Sequence, residues 1–201
     1  MKVILISLVG YLIGAIPFAY VIGKVFYRTD VRQHGSGNLG GSNTGRVLGK
    51  KAGVAVMTLD LLKVTLVVFL AVRFTSHPWA AACAGLSAAL GHCYPVFAHF
   101  RGGKAVATLY GFLFGLWVCV GYSPLVFFLP LVTFLLILFL FKIVALSSML
   151  SSVLSVVYLW LLGGHISSIA AAALFALVIL VRHRGNIQRM IAGTENKVHW
   201  I

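Results

Sequence analysis

Long apolar runs recur along the whole 201-residue sequence, and they constrain its fold more than any other feature. A helix needs about 20 consecutive apolar residues to cross the hydrocarbon core of a bilayer. Charged residues make up 9% of the chain and hydrophobic residues 61%, whereas about a quarter of a typical soluble domain is charged. We therefore predict an all-α polytopic membrane protein, with residues 1–201 forming a single integral membrane domain.

The apolar runs predict about seven transmembrane helices, and the cations between them predict their direction. All Lys and Arg residues except Lys2, Lys63 and Arg73 lie at the ends of these runs that face one side. Because cytoplasmic segments are enriched in Lys and Arg, the N-terminus is expected outside and the C-terminus in the cytoplasm. The cations are too thinly spread for a nucleic-acid surface, so no nucleic-acid partner is expected. The predicted spans are residues 3–24, 53–72, 78–98, 105–121, 124–141, 145–162 and 166–181.

A glycine-rich segment on the predicted cytoplasmic side, residues 35–46, interleaves five glycines with Ser, Asn and Thr and ends at Arg46. Glycine tolerates positive φ and close ligand approach, so such a loop can turn several backbone amides toward one oxyanion. The alternative is a flexible linker, which would not need the Asn, Ser and Arg donors. The segment also matches GxGxxG, but it follows a membrane span, so a dinucleotide fold is rejected.

Two further polar clusters border predicted spans on the same side. Gly102 and Gly103 precede Lys104 at the start of span four, and His183 lies three residues before Asn186 after span seven. The first cluster could instead be an ordinary interfacial turn, and the second could instead be a cationic anchor at the cytoplasmic membrane surface. His92 could equally be structural or catalytic, and Ser148 could cap span six instead of binding an anion.

The chain contains three carboxylates, Asp30, Asp60 and Glu195. Asp60 and Lys63 lie three residues apart in a predicted span and are expected to form a structural ion pair. So few acids argue against paired-carboxylate hydrolysis and multi-carboxylate metal sites. The GxSxG motif of many esterases is also missing. We expect no metal and no cofactor.

Three motifs together resemble the bacterial PlsY family of acyl-phosphate:glycerol-3-phosphate acyltransferases, and the resemblance covers the whole chain. The motifs are Ser36-Gly-Asn-Leu-Gly-Gly-Ser-Asn43 with Arg46, Gly91-His-x-x-Pro-Val-Phe97 with Phe100-x-Gly-Gly-Lys104, and His183-Arg-x-Asn-Ile-x-Arg189 with Gly193-Thr-Glu195.

The resemblance implies transfer of a fatty acyl group from long-chain acyl phosphate to the 1-hydroxyl of glycerol 3-phosphate, giving lysophosphatidic acid and orthophosphate. We also expect membrane lipids as partners and a monomeric protein. The resemblance implies that the glycine loop with Ser36, Asn38 and Ser42 binds the acyl-phosphate head group. Glycerol 3-phosphate is then expected to bind to Arg46, Lys104, Ser148, His183 and Asn186. The expected catalytic residues are Lys104, Ser148, His183 and Asn186. The expected substrate-binding residues are Ser36, Gly37, Asn38, Gly40, Ser42, Asn43, Arg46, His92, Gly102, Gly103 and Glu195.

The sequence departs from the family pattern at three positions. Ser42 replaces a Thr, Ala105 replaces a third Gly, and Ala145 replaces a Ser. Either His183 or a donor phosphate oxygen could accept the hydroxyl proton, and the family favours the phosphate oxygen. The rival classes are a small anion transporter, whose cations should line a path through the bilayer, and a non-catalytic assembly factor, which leaves the polar loops unexplained.

Overall fold

The computed structural model describes residues 1–198, and within that range the chain is helical without β-strands. Short 3₁₀ helices at Val31–Gln33 and Val96–Ala98 and a π-helical turn at Leu116–Val120 connect or extend the α-helices. The α-helices are α1 (Lys2–Gly14), α2 (Phe18–Tyr27), α3 (Gly41–Leu48), α4 (Lys50–Phe74), α5 (Ala80–Cys93), α6 (Val106–Gly115), α7 (Leu125–Phe141), α8 (Val144–Leu161), α9 (Ile166–Arg182) and α10 (Arg184–Ile191).

Four segments in the described range are long and apolar enough to cross a membrane, and there are five if the pair α9 and α10, bent by 56°, is counted as one span. Two shorter apolar helices, Val106–Val120 and Leu125–Phe141, lie where spans four and five are predicted. The chain is therefore an all-α membrane protein. The number of seven crossings and the orientation of the termini remain predictions.

The first predicted span is a broken helix instead of the continuous helix expected over residues 3–24. The break follows from Pro17, which has no N–H to donate to the preceding turn. The carbonyl of Ile16 at this break accepts a hydrogen bond from Lys63 Nζ at 3.0 Å. The same carbonyl accepts from the Phe18 amide at 3.2 Å, so a lysine inside α4 supplies a second donor at the helix break.

Small residues allow the helices to pack closely around the core. Helix α1 packs against α5, and a Cβ on Gly14 would lie 2.1 Å from the carbonyl oxygen of Ala88. Close backbone approach of this kind is typical of membrane helices, where small residues increase van der Waals contact. Phe112 and Phe175 stack at 5.3 Å between α6 and α9 in the fully buried centre.

Helix α3 is the main departure from the predicted loop at residues 35–46. The second half of that glycine-rich segment is helical from Gly41 and packs antiparallel on α4, with Gly45 and Gly53 in close contact. Small side chains on both helices permit this approach. Asn43 and Arg46 therefore project from a helix, while Ser36 and Asn38 remain in the preceding loop.

Candidate active site

A cavity of about 310 Å³ lies where α3, α4, α6, α7, α8 and the α9–α10 junction meet. All of the predicted site residues except Gly37, Gly102 and Gly103 line it. The three distant sequence motifs therefore converge on one place. The exceptions belong to turns whose neighbours, Ser36 and Lys104, do reach the cavity.

The N-termini of three helices border this cavity. Gly41 and Ser42 begin α3, Val106 and Ala107 begin α6, and Val144 begins α8. The first amides of a helix have no partner within it and carry partial positive charge, so they favour anions. The predicted orientation, with the N-terminus outside, places the starts of spans two, four and six on this side. The start of α4 does not line the cavity, and the start of α3 takes its place.

Lys104 and the α9–α10 junction form the most strongly cationic part of the cavity wall. Lys104 Nζ donates a hydrogen bond to Asn186 Oδ1. The amide nitrogen of Asn186 donates to Glu195 Oε1 at 2.7 Å, and Arg189 Nε donates to Glu195 Oε2 at 2.8 Å. Glu195 thereby fixes which end of the Asn186 amide faces the lysine.

Burial controls the charge state of Lys104. Removal of its ammonium group from water, together with the positive charge of nearby Arg189, lowers the pKa of Lys104 to about 8. A group with this pKa is mostly an ammonium at neutral pH. An anion bound beside it would favour that charged form further.

His183 is buried at the turn between α9 and α10. Its Nδ1 lies 2.8 Å from the carbonyl oxygen of Ile179, and a carbonyl can only accept, so the proton belongs on Nδ1 and Nε2 carries a lone pair. Burial, together with the positive charge of Lys104, lowers the pKa of His183 to about 4. His183 is therefore a neutral hydrogen-bond acceptor at physiological pH and a weak base.

Ser148 lies inside α8, one turn from its start, so the capping alternative is wrong. Its hydroxyl donates to the carbonyl of Val144 at 2.8 Å, which leaves the oxygen lone pairs free to accept, and the residue lines the cavity. Ala145, where the family pattern has a serine, also lines the cavity. The N-cap position is occupied by Ile143, which makes no side-chain cap.

Asn43 is a structural brace of the glycine loop. Its Oδ1 accepts from the Ser36 amide at 2.8 Å, and its Nδ2 donates to the carbonyls of Val31 and His34 at 2.9 and 3.2 Å. Both amide hydrogens are thus used within the loop. Asn43 holds the loop in shape, and its expected role as a direct substrate donor stays a prediction.

Ala105, which replaces a glycine of the family pattern, adopts an unfavourable backbone conformation. Ala105 precedes α6 with φ of +60°, a left-handed conformation in which a Cβ is disfavoured. The residue is completely buried, so the surrounding structure keeps it there. The turn that carries Lys104 therefore adopts the shape for which glycine is suited.

The expected ion pair between Asp60 and Lys63 is confirmed, with a contact of 2.7 Å between fully buried side chains. The sequence did not predict that His92 would join it. His92 Nδ1 lies 3.5 Å from Asp60 Oδ1 and 3.2 Å from Lys63 Nζ. Asp60 and His92 also line the cavity, so this polar group forms part of its inner wall.

The other wall of the cavity is apolar and was missed by sequence reasoning. It consists of side chains from α4, α6 and α7, whose hydrophobicity is indistinguishable in the sequence from that of lipid-facing positions. Tyr110 links two of these helices, because its hydroxyl in α6 donates to the carbonyl of Pro130 in α7 at 3.0 Å. The apolar lining includes Met57, Leu61, Val106, Tyr110, Phe127, Leu131 and Phe134.

Comparison with known proteins identifies the family of this chain. Residues 4–193 match the family model for glycerol-3-phosphate acyltransferase. The chain belongs to the glycerol-3-phosphate acyltransferase family. It is 48% identical over 196 residues to the glycerol-3-phosphate acyltransferase of Geobacillus kaustophilus, covering 98% of this chain and 96% of that protein. It is 43% identical over 204 residues to the glycerol-3-phosphate acyltransferase of Listeria monocytogenes, covering 100% and 98%.

Solved structures of this family have the same fold. The crystal structure of PlsY (YgiH), an integral membrane glycerol 3-phosphate acyltransferase, in its glycerol 3-phosphate form matches with a TM-score of 0.91 and 35% identity, covering 99% of this chain and 96% of that one. Its lysophosphatidic acid form matches with a TM-score of 0.88 and 34% identity over the same shares. The chain is thus an acyltransferase of the PlsY family.

Proposed function

We propose that this acyltransferase takes its acyl group from a long-chain acyl phosphate and transfers it to the 1-hydroxyl of glycerol 3-phosphate. The products are lysophosphatidic acid and orthophosphate, for phospholipid synthesis. One observation carries the proposal: a single cavity joins a wall of cations, helix N-termini and amides to an apolar wall. A phosphate group and a fatty chain can be held there at the same time.

The phosphate of the donor is assigned to the glycine loop and the start of α3. Ser36, Asn38 and Ser42 line the cavity there, beside the free amides of the first turn of α3. Backbone amides at a helix N-terminus suit a phosphate because they combine hydrogen bonds with a favourable dipole. The acyl chain is assigned to the apolar wall around Tyr110 and Phe134.

Glycerol 3-phosphate is assigned to the cationic wall. Arg46 and Lys104 supply the positive charge, and Asn186 is already oriented by Glu195. His183 and Ser148 line the cavity and each keeps an acceptor lone pair, so they are assigned as hydrogen-bond partners for the glycerol hydroxyls. This assignment gives the phosphate and the hydroxyl end of the substrate separate binding groups.

The reaction is proposed to be a direct displacement without an acyl-enzyme. The 1-hydroxyl oxygen attacks the acyl carbonyl carbon, an ester bond forms, and the bond from that carbon to the phosphate oxygen breaks. Acyl phosphate is a mixed anhydride with a good leaving group, so orienting the reactants and stabilising the departing phosphate supply the catalysis. Lys104 and the helix amides are proposed to perform the second task.

The hydroxyl proton is proposed to go to an oxygen of the departing phosphate. His183 is the alternative acceptor, but a pKa of about 4 makes it a weak base at neutral pH. A phosphate oxygen has a second pKa near 6 and is therefore the better acceptor. His183 is then left to orient the hydroxyl through Nε2.

The proposed setting is the bacterial cytoplasmic membrane, with a monomeric protein, seven crossings and the cavity at the cytoplasmic face. The cation distribution between the apolar segments supports this orientation. Glycerol 3-phosphate is water-soluble, whereas the acyl donor partitions into lipid. A cavity bordered by polar loops and by membrane helices can receive both.

A single assay tests the proposed function. Purified protein in detergent is given palmitoyl phosphate with or without glycerol 3-phosphate, and orthophosphate and lysophosphatidic acid are measured. We expect both products only when glycerol 3-phosphate is present, in equal amounts. Palmitoyl-CoA is the matched donor control. Turnover with palmitoyl-CoA and none with palmitoyl phosphate would refute the assigned donor.

A further inference from the structure

Arg182, the last residue of α9, holds the turn that carries Lys104. Its Nε donates to the carbonyl of Gly103 at 3.0 Å and its Nη2 donates to the carbonyl of Gly102 at 3.1 Å. The guanidinium also lies 5.2 Å from the ring centroid of Tyr94. The planar fork of an arginine suits two neighbouring acceptors, whereas the ammonium of a lysine does not have that geometry.

The same turn is fixed from its opposite side by the end of α5. The Gly103 amide donates to the carbonyl of His92 at 2.9 Å. A Cβ on Gly103 would lie 2.0 Å from His92 Nε2, and one on Gly102 would lie 2.1 Å from the His92 carbonyl oxygen. Arg182 and His92 therefore enclose the Gly102–Gly103 turn between them.

This clamp also sets the direction of a backbone donor. In a trans peptide the C=O and the following N–H point in opposite directions. Because the Gly103 carbonyl points at Arg182, the Lys104 N–H points away from the guanidinium. Within residues 1–198 that N–H has no backbone acceptor, so it is available to an anion.

Arg182 also ties this turn to the other half of the cationic wall. It directly precedes His183, and Asn186 follows within the first turn of α10. Lys104 Nζ contacts Asn186 Oδ1 across the junction. The separation between the lysine and the two residues of the α9–α10 junction thus depends on where Arg182 anchors the turn.

We propose that Arg182 is a positioning residue for acyl transfer, which fixes the Gly102–Gly103–Lys104 turn against the end of α9. It does not line the cavity and it acts through Lys104 and His183. The inference rests on the proposed function for its kinetic test. This positioning role differs from a general effect of positive charge, because the two carbonyl contacts require the shape of the guanidinium.

The test compares Arg182→Ala and Arg182→Lys with Arg184→Ala in the full chain in detergent. Arg184 is the matched control, since it is an exposed cation two residues further along. We would measure the kinetic constants kcat and KM for glycerol 3-phosphate, the inhibition by orthophosphate and the thermal midpoint of each variant. A displacement of about 1 Å in a catalytic group can cost about 10²-fold in rate.

We expect Arg182→Ala to lose about 10- to 10²-fold in kcat/KM, with weaker orthophosphate inhibition. Arg182→Lys should recover only part of the loss, and Arg184→Ala should stay within about twofold of the parent. Full recovery in Arg182→Lys would show that charge alone matters and would overturn the proposal. Parental kinetics in Arg182→Ala would overturn it as well.

Two further readouts keep the result interpretable. If Arg182→Ala does not fold, Arg182→Lys, which keeps the stem and charge, decides between shape and charge. If the parent protein does not use palmitoyl phosphate, the proposed donor is wrong. The stabilisation of each variant by glycerol 3-phosphate alone, read from its thermal midpoint, then still tests Arg182. Equal stabilisation of Arg182→Ala and Arg184→Ala would refute the positioning role.

Discussion

Raising the pH from 7 to 9 should remove most of the positive charge of Lys104. The pKa of Lys104 is lowered to about 8 by burial and by the charge of Arg189. A lowered lysine pKa means that the ammonium is present below about pH 8 and is lost as the pH rises through it. His183, with its pKa lowered to about 4, is neutral throughout.

The size of the effect follows from the protonated fraction. With a pKa of about 8, about 0.9 of Lys104 is charged at pH 7 and about 0.1 at pH 9. Glycerol 3-phosphate is a dianion over this range because its second pKa is near 6. If the ammonium is required, kcat/KM for glycerol 3-phosphate should fall about tenfold between pH 7 and 9, since kcat/KM reports the free enzyme. The decline in kcat should come at higher pH, because bound phosphate favours the charged lysine.

The assay is orthophosphate release from palmitoyl phosphate at pH 7, 8 and 9, corrected for uncatalysed hydrolysis at each pH. Lys104→Ala should abolish most turnover while remaining folded. Arg101→Ala should retain both the activity and the alkaline decline, because Arg101 is exposed and does not line the cavity. A flat kcat/KM profile in the parent, or equal losses in the two variants, would refute the reasoning.

The remaining predictions concern other parts of the site and the fold. His183→Gln should mainly raise KM for glycerol 3-phosphate and leave an appreciable kcat; a folded, saturated variant that loses about 10²- to 10⁴-fold in kcat would instead make His183 the general base. Lys63→Met should cost about 3–5 kcal/mol of stability, because it leaves Asp60 buried without its partner at 2.7 Å; Arg73→Met is the control, and equal thermal midpoints in detergent would contradict the expectation. Gly14→Ala should lower the thermal midpoint, since its Cβ would lie 2.1 Å from the Ala88 carbonyl oxygen; an unchanged midpoint would show that α1 and α5 separate at little cost.

The sequence by itself determined the membrane class, the family and the candidate site residues. Apolar runs of membrane length leave few alternatives, because hydrocarbon requires every backbone group to be satisfied within a helix or a closed barrel. The polar motifs were visible because polar residues are rare in such a chain. The Asp60–Lys63 pair was predictable for the same reason, since two charges three residues apart in a span have each other as partners.

Only the tertiary structure decided how these residues cooperate. The contacts of His92 with Asp60, of Arg182 with the Gly102 and Gly103 carbonyls, and of Lys104 with Asn186 join segments that are adjacent only after the helices pack. The role of Asn43 also depended on backbone carbonyls that the sequence does not locate.

The protonation states and the apolar wall were likewise beyond sequence reasoning. His183 has an ordinary imidazole, and its low pKa comes from burial beside Lys104. Tyr110 and Phe134 belong to helices that are apolar on every side, so periodicity could not separate a cavity-facing position from one that faces lipid. Composition fixes that a residue lies in the membrane, whereas its neighbours and its access to water are properties of the packed helices.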